Sequence, residues 1–265
     1  MSSKTYLPIE PQTVAFLGLG VMGHPMAGHL AQAGHRVCVF NRTANKSAAW
    51  VAQYGGRSAA TPREAAAGAS VVFSCVGNDD DLRSVMLGDE GALAGMPTGG
   101  VVVDHTTASA EVARELYAAA QVRGLAFMDA PVSGGQAGAV NGALTVMCGG
   151  DAAAFAAIHP VASAFARAVT HVGASGAGQL AKMVNQISIA GLVQGLAEAI
   201  AFGQRAGLDM NQVLDVIGKG AAQSWQMDNR GKTMLEGQFD FGFAVDWMRK
   251  DLGLVLDEAR RNGAQ

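Results

Sequence analysis

Two patterns of apolar positions divide the chain. Up to Gly173, short continuous apolar runs alternate with stretches whose apolar residues recur every three or four positions. The runs TVAFLG (13–18), RVCVFN (36–41), VVFSCV (71–76), VVVDHT (101–106), LAFMDAPV (125–132), ALTVMCGG (143–150) and AVTHVG (168–173) are strand candidates. Helical spacing occupies HPMAGHLAQAG, with Gly34 as its stop, and the stretches from Ala44 to Gln53 and from Ser109 to Arg123. Strands apolar on both faces and separated by helices predict a mainly parallel sheet covered on both sides, a doubly wound α/β domain. Beyond Gly173 the strand signal stops. One long helix is expected from about Gly178 to Ala206, followed by helices near 209–219, 222–235 and 243–262. The expected organisation is therefore an α/β domain over residues 1–175 and an all-helical domain over 176–265.

Composition sets limits. With 49% hydrophobic and 15% charged residues the chain can bury a sizeable core. Its 35 glycines follow no repeat and suit tight turns between short elements. A net charge of −3 without a basic block argues against nucleic acid as a partner. Cys38, Cys75 and Cys148 each lie in an apolar run, with no CxxC or Cys/His spacing. They read as small core residues, no metal is expected, and a reducing cytoplasm is the expected compartment. MSSKTYLPIE lacks an apolar signal core. The apolar stretch from Ile187 to Phe202, broken by Gln194, Glu198 and glycines, reads as a buried helix, so no membrane partner is expected.

Candidate chemistry begins at Gly18-Leu19-Gly20-Val21-Met22-Gly23, a GxGxxG run that leaves one strand and opens a helix. The first glycine allows the tight turn. The second lets the backbone approach a pyrophosphate, and the third lets helix and strand pack closely. The helix start offers N–H groups and a positive dipole end to phosphate. A glycine turn that binds nothing is the plain alternative. At the end of the second strand, where NAD-preferring sites carry an acidic residue for the ribose hydroxyls, stands Asn41-Arg42-Thr43. Asn41 lacks the carboxylate that would repel a 2′-phosphate, Arg42 can pair with that phosphate, and Thr43 can donate to it, so NADPH is the expected cofactor. If Arg42 stacks on adenine instead, NADH serves as well.

Four blocks, FLGLGVMGHPMAGHL, DAPVSGGQAGAVNGALTVMCGG, GASGAGQLAKMVNQ and RKDLGLVLDEA, occur in order over nearly the whole chain. Together they resemble the β-hydroxyacid dehydrogenase family of 3-hydroxyisobutyrate dehydrogenase-like and tartronate semialdehyde reductase-like enzymes. The resemblance implies a Rossmann-like domain followed by a helical domain. It also implies reversible hydride transfer between NADPH or NADH and a small acid carrying a β-hydroxyl or β-carbonyl. The family's acid/base matches Lys182. Hydride arriving at a carbonyl carbon leaves an alkoxide that needs a proton, and a lysine among apolar neighbours (Leu180, Ala181, Met183, Val184) can exchange one. Asn185 and Gln186 lie three and four residues on and share its helix face. By resemblance they touch the substrate, unless one of them only supports helix packing. Ser133-Gly134-Gly135 matches the family's carboxylate anchor, with a simple strand-to-helix turn as the alternative.

Val76, Gly77, Asn78 and Thr107 follow strand ends, where a dinucleotide lies over a parallel sheet. Lys250 matches a family lysine near the nicotinamide; an exposed helix lysine is the alternative. Trp225 either covers the substrate or fills the helical core. The six histidines form no HExxH or triad and read as structural or surface residues. Two competing readings remain: an imine reductase of the same architecture and a non-catalytic dinucleotide-binding module. Both tend to lack the lysine that stands here at 182. A homodimer or homotetramer is expected from the apolar helices of the second domain. The family continues beyond the KDL helix with a further helix, whereas this sequence stops at Gln265.

Overall fold

The computed structural model describes residues 4–6 and 8–264 and divides into two compact units, Met1–Lys182 and Met183–Gln265. In the first, β1 (Thr13–Leu17) leads through α1 (Gly23–Gln32), β2 (Arg36–Phe40) and α2 (Ala44–Tyr54) to the two-residue β3 (Arg57–Ser58). The chain then restarts on the other side of β1 with α3 (Pro62–Ala66), β4 (Val71–Ser74), α4 (Asp79–Met86), α5 (Ala92–Gly95), β5 (Val101–Asp104), α6 (Ala110–Val122) and β6 (Ala126–Asp129). These six strands are parallel in the spatial order β3-β2-β1-β4-β5-β6. β7 (Val132–Ser133), α7 (Gly135–Val140), β8 (Leu144–Gly149), α8 (Ala152–Ala162) and β9 (Ala166–Gly173) extend the sheet. β8 runs antiparallel to β6 and β7 and parallel to β9.

Side-chain alternation explains why the strands read as continuous apolar runs. Val14 and Phe16 enter one core and Ala15 and Leu17 the other; Val71 and Phe73 separate from Val72 in the same way, as do Val101 and Val103 from Val102. Both faces of the sheet are covered, so the central positions of these strands are apolar and the polar residues stand at strand ends. Cys38 and Cys148 are buried fillers, and burial pushes the Cys148 thiol up to about 12. The single strand expected over 125–132 is instead two, β6 and β7, parted at Ala130-Pro131. Proline has no N–H for the ladder.

The second unit is helical. α9 (Ala177–Arg205) begins in the first unit and continues into the second, where α10 (Met210–Ile217), α11 (Trp225–Leu235) and α12 (Val245–Asn262) follow. Asp209 caps α10 by accepting from the N–H groups of Asn211 and Gln212, and Ser224 caps α11 through that of Met227. Leu196, Ile200, Met210 and Leu214 form the small core. The expected burial of 187–202 needs correction. Only one stripe of α9 packs into that core; Ile187, Leu192 and Phe202 are 51%, 47% and 74% exposed. By length and composition α9 could cross a membrane, and 22% of its apolar window is buried.

Candidate active site

The chain runs outward from β1 to β3 and then resumes at β4, so the loops after β1 and β4 leave neighbouring strand ends in opposite directions. Ligands of open parallel sheets bind in such a crevice. The loop after β1 is Gly18–Gly23. Gly18 has φ +94°, and a Cβ there would lie 2.3 Å from the Cys75 carbonyl oxygen. A Cβ on Gly23 would lie 2.0 Å from the Gly18 oxygen. Packing within the protein thus requires the first and third glycines. Around Gly20 nothing lies within 4 Å of an added Cβ. Open space at the middle glycine, beside a helix that starts at Gly23 with no side-chain cap, is what a pyrophosphate cradle needs.

Asn41 serves the loop directly. Its Oδ1 accepts from Leu19 N–H at 2.9 Å and its Nδ2 donates to the Thr43 carbonyl at 3.2 Å, tying the glycine turn to the end of β2. Arg42 is exposed, and its Nη1 lies 3.1 Å from Asp81 Oδ1 in the first turn of α4. Asp81 gave no signal in the sequence. Asn78 caps α4 by accepting from Asp81 N–H, and Val76 N–H donates to Thr106 Oγ1 at 3.0 Å. Val76, Gly77 and Thr107 are half-buried at the strand ends. Ser133 is half-buried, while Gly134 and Gly135 are exposed with φ +131° and +60°, conformations that favour glycine.

The carboxyl ends of β5 and β6 carry two buried acids. Asp104 Oδ1 accepts from Ser74 Oγ and Thr106 Oγ1, each at 2.7 Å, and from Thr106 N–H at 3.1 Å. Asp129 receives the start of α9: Gly176 N–H donates to Oδ1 at 2.7 Å and Gln179 N–H to Oδ2 at 2.9 Å. Gly178 permits this approach, since a Cβ there would lie 2.4 Å from the Asp129 carbonyl oxygen. Burial raises the Asp104 carboxyl to about 7, opposed by its hydroxyl and N–H donors and helped by the charge of Asp129. Burial likewise raises Asp129 to about 6, opposed by the N–H groups of the helix start. His105 lies stacked on Phe73 with its Nδ1 2.6 Å from the Ala130 oxygen, and burial lowers its pKa to about 4, so it is a neutral core residue.

Lys182, 7% exposed, stands one turn after Gln179 on α9. In the second unit, Asn185 Nδ2 donates to Gln186 Oε1 at 2.8 Å, and Gln186 Nε2 donates to Asp251 Oδ2 at 2.7 Å. Lys250 Nζ pairs with the buried Asp251 at 3.1 Å. Gln186 is therefore turned toward α12, and Asp251, beside Lys250 in the KDL block, is a polar centre that sequence reasoning passed over. Trp225 is 53% exposed, which removes the core alternative; the Arg230 guanidinium lies 5.1 Å from its ring centre and 4.0 Å from that of Phe241.

A glycine cradle at the switch point of a parallel sheet, followed by a helical unit, is the architecture of a dinucleotide-binding protein. Two family models cover nearly all of the chain: the NAD binding domain of 6-phosphogluconate dehydrogenase over residues 13–173, and the NAD-binding domain of NADP-dependent 3-hydroxyisobutyrate dehydrogenase over 176–265. An uncharacterised oxidoreductase of Shewanella frigidimarina is 64% identical over 95% of this chain and 86% of its own. The NAD-dependent L-serine dehydrogenase of Pseudomonas aeruginosa is 37% identical over 95% of this chain and 86% of its own. Mycobacterium tuberculosis 3-hydroxyisobutyrate dehydrogenase, solved with L-serine, superimposes with a TM-score of 0.88 at 33% identity, covering 97% of this chain and 89% of that one. The chain belongs to the β-hydroxyacid dehydrogenase family. It is an NAD(P)-dependent hydroxyacid dehydrogenase.

The buried acids make stability depend on pH. A carboxyl raised on folding stabilises fully below its unfolded value near 3.8 and loses that contribution as pH rises through about 6 for Asp129 and about 7 for Asp104. His29, His35 and His105, lowered by burial, act oppositely: their contribution is present above the unfolded histidine value and is lost as pH falls from it toward their lowered folded values, about 4 for His105. The difference between Asp104→Asn and wild type isolates the first effect. The stability of Asp104→Asn relative to wild type, followed by melting temperature, should rise from pH 5 by on the order of a few kcal/mol and level off above about pH 7. A difference that stays flat across that range would contradict the buried-charge assignment.

Proposed function

We propose that Lys182 is the proton donor and acceptor for hydride transfer at the β-carbon of a small acid, with NADPH as the preferred cofactor. The carrying observation is the buried Lys182 on the first turns of a helix whose start is hydrogen-bonded to the carboxyl edge of the dinucleotide-binding sheet. The bound nicotinamide supplies or receives the hydride. Lys182, as ammonium, gives its proton to the oxygen of the β-carbonyl as the carbon accepts the hydride, and the product is the β-hydroxyacid. In the oxidative direction neutral Lys182 takes the hydroxyl proton. Ser133 and the N–H groups of Gly134 and Gly135 hold the carboxylate. Asn185, one turn beyond Lys182, contacts the substrate, and Gln186 fixes Asn185 from its own anchor on Asp251. Val76, Gly77 and Thr107 complete the cofactor contacts.

The names of two relatives, both linked to L-serine, support a three- or four-carbon acid as substrate. Turnover should be measured with L-serine, 3-hydroxyisobutyrate, tartronic semialdehyde, succinic semialdehyde and glyoxylate, with each cofactor. Lys182→Met should lower kcat by roughly 10²–10⁴-fold while leaving the dinucleotide Kd within about twofold. Wild-type turnover in that variant would remove the acid/base role. Turnover of a cyclic imine above that of every aldehyde acid would favour the imine reductase reading.

Cofactor choice rests on Arg42. Its partner Asp81 competes with a 2′-phosphate, but the pair is exposed and therefore weak. Arg42→Ala should weaken NADPH binding by about tenfold or more and barely change NADH, since a charge-assisted phosphate contact is lost. Asp81→Asn should tighten NADPH by up to a few-fold. Equal losses for both cofactors in Arg42→Ala would assign Arg42 to the adenine ring instead.

The same reading takes the protein as a cytoplasmic homodimer or homotetramer with no nucleic-acid or membrane partner. Light scattering should then give two or four times the mass of one chain, and a monomer would contradict it.

A further inference from the structure

One buried side chain grips the loop after β5 on both sides of Thr107. Gln179 Nε2 donates to the Thr106 carbonyl at 2.8 Å, and Gln179 Oε1 accepts from Ala108 N–H at 3.1 Å. Gln179 is 1% exposed, and its own N–H donates to Asp129. The amide therefore springs from a turn of α9 that is itself fixed to β6. The upstream end of the loop is fixed by the sheet, because Thr106 Oγ1 donates to Asp104 and accepts from Val76 N–H. The freedom left at 107–108 is what Gln179 removes. Few side chains could do this. A two-point grip on a peptide needs one donor and one acceptor on the same short group: a glutamate lacks the donor, a lysine lacks the acceptor, and a methionine leaves both buried peptide groups without a partner. Gln179 also lies three residues before Lys182, on the same face of α9.

We propose that Gln179 is a positioning residue that registers the Thr107 loop against the helix carrying Lys182, so that the dinucleotide contact and the proton-transferring amine are set by one amide. This rests on the reading of Thr107 as a cofactor contact and of Lys182 as acid/base. Gln179 touches neither substrate nor cofactor; it acts through Thr107 on one side and through the helix on the other.

The test uses the full chain, with NADPH affinity from fluorescence titration and kcat from a semialdehyde the wild type turns over. Gln179→Met should weaken NADPH by about fivefold or more and lower kcat by about tenfold or more, since small misplacements are costly in an oriented site. Gln179→Glu, which keeps the acceptor for Ala108 N–H, should fall between Gln179→Met and wild type. Combining Thr107→Ala with Gln179→Met should cost less affinity than the product of the two single effects, because one acts through the other. A role in folding alone would lower the melting temperature and leave the Kd and kcat of the folded protein unchanged; that result overturns the proposal. Multiplicative effects in the double variant, or loss of the fold in both Gln179 variants, overturn it as well. Unchanged affinity in Thr107→Ala alone would instead undercut the underlying assignment of that loop to the cofactor.

Discussion

The carboxylate of Asp129, at the end of β6, accepts the N–H groups of Gly176 and Gln179 and so holds the start of α9 against the sheet. The rest of the site depends on that joint. A helix start carries unsatisfied N–H groups and a positive dipole end, and a buried carboxylate needs donors; each answers the other's requirement. The approach is close enough that the helix must present a glycine at 178. Lys182 follows one turn later, so its position is set by backbone geometry rather than by a flexible loop.

From this joint a connected set of hydrogen bonds crosses the carboxyl edge of the sheet. Gln179 reaches Thr106 and Ala108, Thr106 reaches Asp104 and Val76, and Asp104 reaches Ser74 on β4. Two carboxylates buried this way cost stability above neutral pH, as their raised values record. The benefit is rigidity where loops from β4 and β5 and the lysine-bearing helix converge. A buried polar network specifies one arrangement where its members are paired, as the atoms named here are, although Asp104 Oδ2 itself has no partner.

Much of this was legible in the sequence, for physical reasons. β1, β2, β4 and β5 announced themselves because both faces of each strand are covered. The glycine turn was legible because a strand precedes it and a helix follows. β3 was not, since two exposed residues, Arg57 and Ser58, carry no periodicity. α8 was missed because its alanine-rich run, with Pro160 inside, shows no clear stripe. The exposure of α9 was misread because composition does not say which face neighbouring helices cover. Lys182 stood out through resemblance and its apolar flanks, whereas Asp81, Asp129, Gln179 and Asp251 are single polar residues whose partners lie far away in sequence. Two of them had a usable signal: Asp129 ends a strand at the carboxyl edge, and Gln179 sits three residues before the lysine.

The most direct measurement is the single-turnover rate of hydride transfer in Asp129→Asn, followed by the loss of NADPH absorbance with saturating substrate. Asparagine keeps one acceptor oxygen and the volume but loses the charge and the second acceptor for the helix start. Hydride transfer should slow by about tenfold or more because the amine moves, and NADPH should bind more weakly as well because Gln179 carries the displacement of the helix start to the Thr107 loop. A folded Asp129→Asn protein that transfers hydride at the wild-type rate would contradict the claim that this joint positions Lys182.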